Sequence, residues 1–184
     1  MYSQEIISWF KRNKRPLPWR STDPWGVLVS EIMLQQTPVA RVLPVYEAWM
    51  KKWPTPQALA AASPAEVITA WGRLGYPRRA LRLHECAKFV TQHHKGVLPS
   101  TEKELRGLPG IGEYTAAAIV AFAFHGRSLV LDINIRRLFS RLYRGEEHPP
   151  TATNNSERSE YETYIPKQNP DVWAAATMEL GALV

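Results

Sequence analysis

The sequence holds a single cysteine, Cys86, and no apolar run long enough to cross a bilayer. A helical membrane span needs roughly 20 apolar residues and a disulfide framework needs paired thiols, so both an integral membrane protein and a stapled secreted domain are excluded. A metal site of four cysteines is excluded with them. The first residues, MYSQEIISWFKRNKR, mix charge into the apolar positions and offer no uninterrupted hydrophobic stretch. That argues against a signal peptide and for an intracellular, cytoplasmic location. No stretch alternates with a period of two, and no internal repeat is visible. What remains is an ordinary globular composition of 184 residues, 45% hydrophobic and 22% charged, enough for one substantial core or two small ones.

Lys and Arg number 23 against 17 Asp and Glu, a net charge of +6 that by itself favours a nucleic-acid partner only slightly. The positive charge collects in Lys11–Arg15, in Arg78, Arg79 and Arg82, and in Arg136, Arg137, Arg141 and Arg144. Each cluster reads equally well as a solvated helix face.

Apolar spacing is helical almost throughout, as in Ile6, Ile7 and Phe10 or Ile135, Leu138, Phe139 and Leu142, and predicts about ten short helices joined by tight turns. Ser63-Pro64-Ala65-Glu66 carries a capping-box pattern: Ser at N-cap, Pro at N1 and Glu at N3. The polar segment 145–160, GEEHPPTATNNSERSE, reads as an exposed connection.

Three places could carry chemistry. In Leu108-Pro109-Gly110-Ile111-Gly112, proline ends one helix and the glycines allow a turn, with backbone N–H groups aimed at whatever the turn faces. Such a turn can hold a phosphate without reading base sequence, and it can equally be a plain link between helices. Asp132 stands before an amphipathic helix, where it can cap the first turn or stabilise a cation. Glu31 lies among Val27, Leu28, Val29, Ile32 and Met33. If buried there, its pKa rises and suits a general acid; on an exposed helix face it means nothing.

LPWR, SEIMLQQT, RLGYPRRALRLH, LPGIGEYTAAAI, LDINIRR and MELGALV, in that order from about residue 5 to the last residue, resemble the catalytic domain of the helix-hairpin-helix (HhH-GPD) DNA glycosylases, and within it the adenine-specific, MutY-type branch. The resemblance implies an all-α fold of two helical lobes with the active site in the cleft between them. One lobe would be a six-helix barrel over 21–128 with the helix-hairpin-helix at 105–118. The other would combine 1–20 with 129–184 and stop short of the segment that carries the family's iron–sulfur cluster. The family's four cluster cysteines have no counterpart here, so the resemblance implies no cluster in this chain, leaving a monovalent or divalent cation at the hairpin as the remaining cofactor candidate. The separate C-terminal domain that helps recognise 8-oxoguanine is also missing from the match.

The implied activity is monofunctional removal of adenine mispaired with 8-oxoguanine or guanine, by hydrolysis of the N-glycosidic bond after base flipping. Glu31 matches the acid that protonates adenine at N7, and Asp132 the carboxylate that faces the oxocarbenium-like sugar. Tyr114 and Asn134 match residues that support this pair. A lysine at the place of Tyr114 would support strand cleavage through a Schiff base, which tyrosine cannot do. Trp19, Arg20, Leu34 and Glu179 match positions lining the adenine pocket; for Trp19, plain core packing is the competing reading. Gln36 and Tyr76 match wedge residues, and further DNA contacts are implied for Gln35, Thr37, Arg78, Leu108, Gly110, Gly112, Thr115 and Arg136. The implied partner is double-stranded DNA with a mismatched adenine, met by a monomer at the bacterial nucleoid and by no membrane. A mismatch thymine glycosylase of the same superfamily and a catalytically weak DNA-binding fragment are the alternatives.

Overall fold

A computed structural model describes residues 2–184, and among them there are helices and no strands. The chain is all-α. Eleven α-helices run in order: α1 (Ser3–Asn13), α2 (Pro24–Leu34), α3 (Val39–Lys52), α4 (Pro56–Ala60), α5 (Pro64–Trp71), α6 (Arg78–His93), α7 (Glu102–Leu105), α8 (Glu113–Phe124), α9 (Ile133–Phe139), α10 (Asn155–Thr163) and α11 (Pro170–Gly181). Local chemistry sets many of the starts. Asp23, Thr55, Ser63, Thr101, Asp132 and Asn154 each accept a backbone N–H of the first turn, satisfying donors a helix leaves unpaired. At α5 the capping box is complete: Glu66 N–H donates to Ser63 Oγ and Ser63 N–H donates to the Glu66 carboxylate.

The helices fall into two compact units. In the unit Leu17–Ile119, α4 and α5 pack on α6, and α2 packs on α3 and α6. Its core is aromatic at the centre: Trp49 meets Trp53 edge-on at 4.6 Å and Trp71 at 5.7 Å, the ring geometry that favours a positive edge against a negative face. α6 turns Leu83, Cys86, Ala87 and Val90 inward, all below 2% exposed. Burial holds the Cys86 thiol protonated by pushing its pKa up to about 12.

The other unit joins Met1–Pro16 with Val120–Val184. Here α11 packs against both α1 and α9. Phe139 sits at the centre of a ring cluster with Tyr161 (5.0 Å), Tyr164 (5.5 Å) and Trp173 (6.3 Å).

Two boundaries differ from the sequence expectation. The units divide at residues 17 and 120 rather than 21 and 129. Trp19 belongs with the core of the first unit because its ring packs edge-on against Tyr46 at 5.2 Å. Residues 125–127 go with the terminal unit because His125 pairs with Asp171 at 2.7 Å and Arg127 donates to the carbonyls of Glu162 (2.7 Å) and Ile165 (3.2 Å). The segment 145–160 is an open connection only as far as Asn154. From there it is helix, with Glu157 2% exposed.

Candidate functional site

The candidate residues divide between the two units. In the unit Leu17–Ile119, α2 carries Glu31 among nine consecutive buried residues, Trp25 to Met33. Glu31 itself is 7% exposed, so the exposed-face alternative for this carboxylate falls away. Leu34, half-buried, closes the helix, and Trp19 and Arg20 lie in the short 3₁₀ turn Pro18–Arg20. After α2 the chain turns sharply. Gln36 is exposed with φ +54°, in the left-handed region where a side chain costs roughly 1–2 kcal/mol. Tyr76, 63% exposed with φ +48°, forms a second such tip at the start of α6. Arg78 beside it is exposed.

Thr37 corrects the sequence reading: it is 7% exposed, and its hydroxyl donates to the carbonyl of Leu74 at 3.3 Å while accepting from Arg79 at 3.0 Å. Its polar atom fastens two turns together and is not offered to DNA. Gln35 likewise reaches inward, with Nε2 3.5 Å from the buried Thr115 hydroxyl on α8. Both side chains therefore tie the turn after α2 to its surroundings.

The turn 106–112 joins α7 to α8. Leu108 is buried as its apolar foot. Gly110 has φ +78°, a conformation that favours glycine, and a Cβ there would stand a tight 3.0 Å from Cβ of Arg82. Gly112 differs: a Cβ on it would meet nothing within 4 Å, and the fold leaves the space above it open. Tyr114 follows, half-buried, in the first turn of α8.

In the other unit Asp132 is the N-cap of α9. Its Oδ1 accepts the Ile135 N–H at 2.8 Å and its Oδ2 accepts the Asn134 side-chain amide at 3.0 Å. Burial raises its pKa above the ordinary aspartate value, while those two donors and the charge of Arg137 pull the other way without overcoming it. A carboxylate held at fixed orientation and short of its usual solvation suits a developing positive charge. The backbone at Asn134 is fixed from behind by Gly181: a Cβ on that glycine would lie 2.2 Å from the Asn134 carbonyl oxygen. α11 thus touches α9 backbone to backbone.

Two candidate residues in this unit are held by partners within the fold. Glu179, 5% exposed, accepts a fork from Arg15 (Nε to Oε1 2.7 Å, Nη2 to Oε2 3.0 Å) and the Arg15 backbone N–H, so its carboxylate anchors the chain after α1. Arg136, expected among the DNA contacts, is turned inward. It is 7% exposed, pairs with Glu157 at 3.0 and 3.1 Å, and donates to the carbonyl of Pro150 at 2.7 Å. Its neighbours in the sequence cluster are similarly engaged: Arg137 with the carbonyl of Gly181, Arg141 with that of Glu147, and Arg144 with Glu160. Of this cluster, Arg136 alone is buried, while Arg137, Arg141 and Arg144 are partly exposed with part of their donors engaged.

Sequence reasoning passed over Arg79 and Gly181. Arg79 stood in a basic run, and a run does not say which of its members folds inward; Gly181 lay in a small-residue helix without a turn signal. Among the described residues no group of three or more His, Cys, Asp and Glu side chains could hold a metal, and no helix is long and apolar enough to cross a membrane. The iron–sulfur ligand set does not fit this sequence either, since Cys86 is its sole cysteine and is buried in its protonated form.

The family model described as HhH-GPD superfamily base excision DNA repair protein matches residues 29–161. An adenine DNA glycosylase of Mycolicibacterium smegmatis is 46% identical over 182 residues, covering 98% of this chain and 62% of that protein. One from Mycobacterium tuberculosis is 44% identical, covering 97% and 60%. The chain therefore spans about 60% of the length of these curated relatives. Among solved structures, a thermostable thymine-DNA glycosylase superposes with a TM-score of 0.88 at 26% identity, over 100% of this chain and 85% of that one.

Proposed function

Since the chain belongs to the HhH-GPD superfamily of base excision DNA repair proteins, we propose that it is a monofunctional DNA glycosylase that removes adenine opposite 8-oxoguanine or guanine from duplex DNA. The observation that carries this reading is Asp132: a carboxylate oriented by two hydrogen bonds and left short of solvent, in a sequence similar to adenine DNA glycosylases over nearly its whole length.

In the proposed reaction the adenine nucleotide leaves the stack, because its N-glycosidic bond is shielded inside a duplex. Glu31, buried in α2, gives its proton to the adenine ring at N7. The C1′–N9 electron pair then departs with the base, and Asp132 faces the cation left on the sugar. Water adds to C1′, its proton passes to a carboxylate, and an abasic site remains. Tyr114 carries no amine, so no Schiff base and no strand scission follow from it. The place of this chain would be the bacterial cytoplasm, at the nucleoid.

The similarity to a thymine-DNA glycosylase favours a second reading, release of mismatched thymine. Duplexes with adenine opposite 8-oxoguanine and with thymine opposite guanine, incubated with the protein and then cleaved with alkali, separate the two. Strand breaks only in the first support adenine release. Breaks only in the second transfer the assignment to thymine, and breaks in neither, with duplex binding intact, reduce the chain to a DNA-binding fragment.

A further inference from the structure

The Arg79 guanidinium sits where six acceptors converge. The two N–H groups of Nη1 are shared among the carbonyls of Ile32 (3.1 Å), Met33 (3.2 Å) and Gln35, and those of Nη2 among the Thr37 hydroxyl (3.0 Å) and the carbonyls of Leu74 (3.1 Å) and Gly75 (3.2 Å). The group also lies over the rings of Trp71 (5.3 Å) and Tyr76 (5.4 Å). The carbonyls of Ile32, Met33 and Gln35 belong to the last turn of α2 and the residue after it, where a helix concentrates unpaired oxygens and partial negative charge. Those of Leu74 and Gly75 lead directly into Tyr76. One cation therefore closes the end of one helix and the loop before another, and from each of these the chain goes straight to an exposed residue in the left-handed region: Gln36 on one side, Tyr76 on the other.

Neither tip would hold its conformation unaided, because left-handed backbone is unfavourable for both residues and their side chains project into solvent. Thr37 links the same two segments a second time through its hydroxyl and the Leu74 carbonyl. A planar fork with several rigidly spaced donors can serve acceptors on two sides at once, which the point charge of lysine does not do.

We propose that Arg79 is a positioning residue that holds Gln36 and Tyr76 as a paired set of tips presented to the DNA. The presentation to DNA rests on the glycosylase reading above; the pairing of the tips does not.

The test therefore has two parts. In the free protein, Arg79→Lys should raise amide hydrogen exchange about tenfold or more at residues 34–37 and 74–77 while the rest of 17–119 keeps its protection. Thr37→Val, which at similar volume removes the link to Leu74 and only one of the six acceptors of Arg79, should raise exchange at the same two segments by less. Unchanged exchange at either segment, or loosening spread evenly over 17–119, overturns the proposal. With DNA, 2-aminopurine placed opposite 8-oxoguanine reports unstacking as a rise in fluorescence. Arg79→Lys should reduce that rise, yet have no additional effect in a protein already carrying Gln36→Ala and Tyr76→Ala. An equal loss in both backgrounds means that Arg79 does not act through the tips and overturns the proposal. If the unsubstituted protein gives no rise on any duplex, the glycosylase reading fails, and the exchange result decides the pairing by itself.

Discussion

Asp132 caps a helix and is assigned to face a cation, and these two tasks make opposite demands on its charge. As a cap, an asparagine would serve about as well, since either side chain can accept the Ile135 N–H. As an ionised group in a poorly solvated place, Asp132 has its pKa raised by burial, so folding favours its protonated form. Its stabilising contribution is complete below the ordinary aspartate range, near pH 4, and is lost as pH rises through the raised value. Asp132→Asn should therefore abolish base release while leaving duplex binding intact, and should raise the melting temperature at pH 7. That gain should shrink as thermal melts are repeated at lower pH, towards about pH 3, where aspartate too is neutral. Persistence of full base release would sink the catalytic assignment. At this scale the sequence was legible where the cause is local. Asp132 as a cap is a reading its neighbours within a turn of helix supply, whereas the neighbours of Glu31 allowed both burial and an exposed face, and only the fold decides for burial. Arg136 was not legible, because its partner Glu157 lies 21 residues further on and spacing alone cannot tell an arginine that faces solvent from one that meets a distant carboxylate.

Two helix contacts hold α9, and each gives a measurable prediction. Gly181 brings α11 onto the Asn134 carbonyl with no room for a methyl group. Gly181→Ala should cost about 1–3 kcal/mol in urea denaturation, the usual range for overpacking, and should slow base release by displacing the backbone that carries Asn134 and Asp132. On the far side, Glu157→Gln leaves the Arg136 guanidinium buried without its counter-charge, and a loss of about 3–5 kcal/mol is expected in the same measurement. A loss below about 1 kcal/mol would mean that water reaches the pair. The capping box at Ser63 was readable because all of its parts lie within four residues. The start of α10 was not: its polar composition resembles a loop, and what makes it helical is the Asn154 cap together with the pull of Arg136 on Glu157.

For the molecule as a whole, the count of arginines overstates what is available to a polyanion, because in the third cluster Arg136 and Arg144 are paired with the carboxylates of Glu157 and Glu160, and Arg137 and Arg141 spend donors on backbone carbonyls. Duplex affinity should fall linearly on a log–log plot against salt. Arg78→Gln should lower that slope by about 0.9 if it contacts one phosphate, whereas Arg141→Gln should leave it unchanged. Fluorescence anisotropy across a salt series checks both. Total charge was plain from composition, but its division into outward and inward members required the fold. The single thiol, first noticed for the chemistry it forbids, has a practical use. Cys86 is buried in α6 with its proton held by burial, so an alkylating reagent at mildly alkaline pH can modify it only when this part of the protein opens. The protein thus carries a built-in gauge of its own breathing. Iodoacetamide uptake should keep pace with denaturant-induced opening of the unit around α6, and a duplex that binds and steadies that unit should slow the uptake without touching the cysteine.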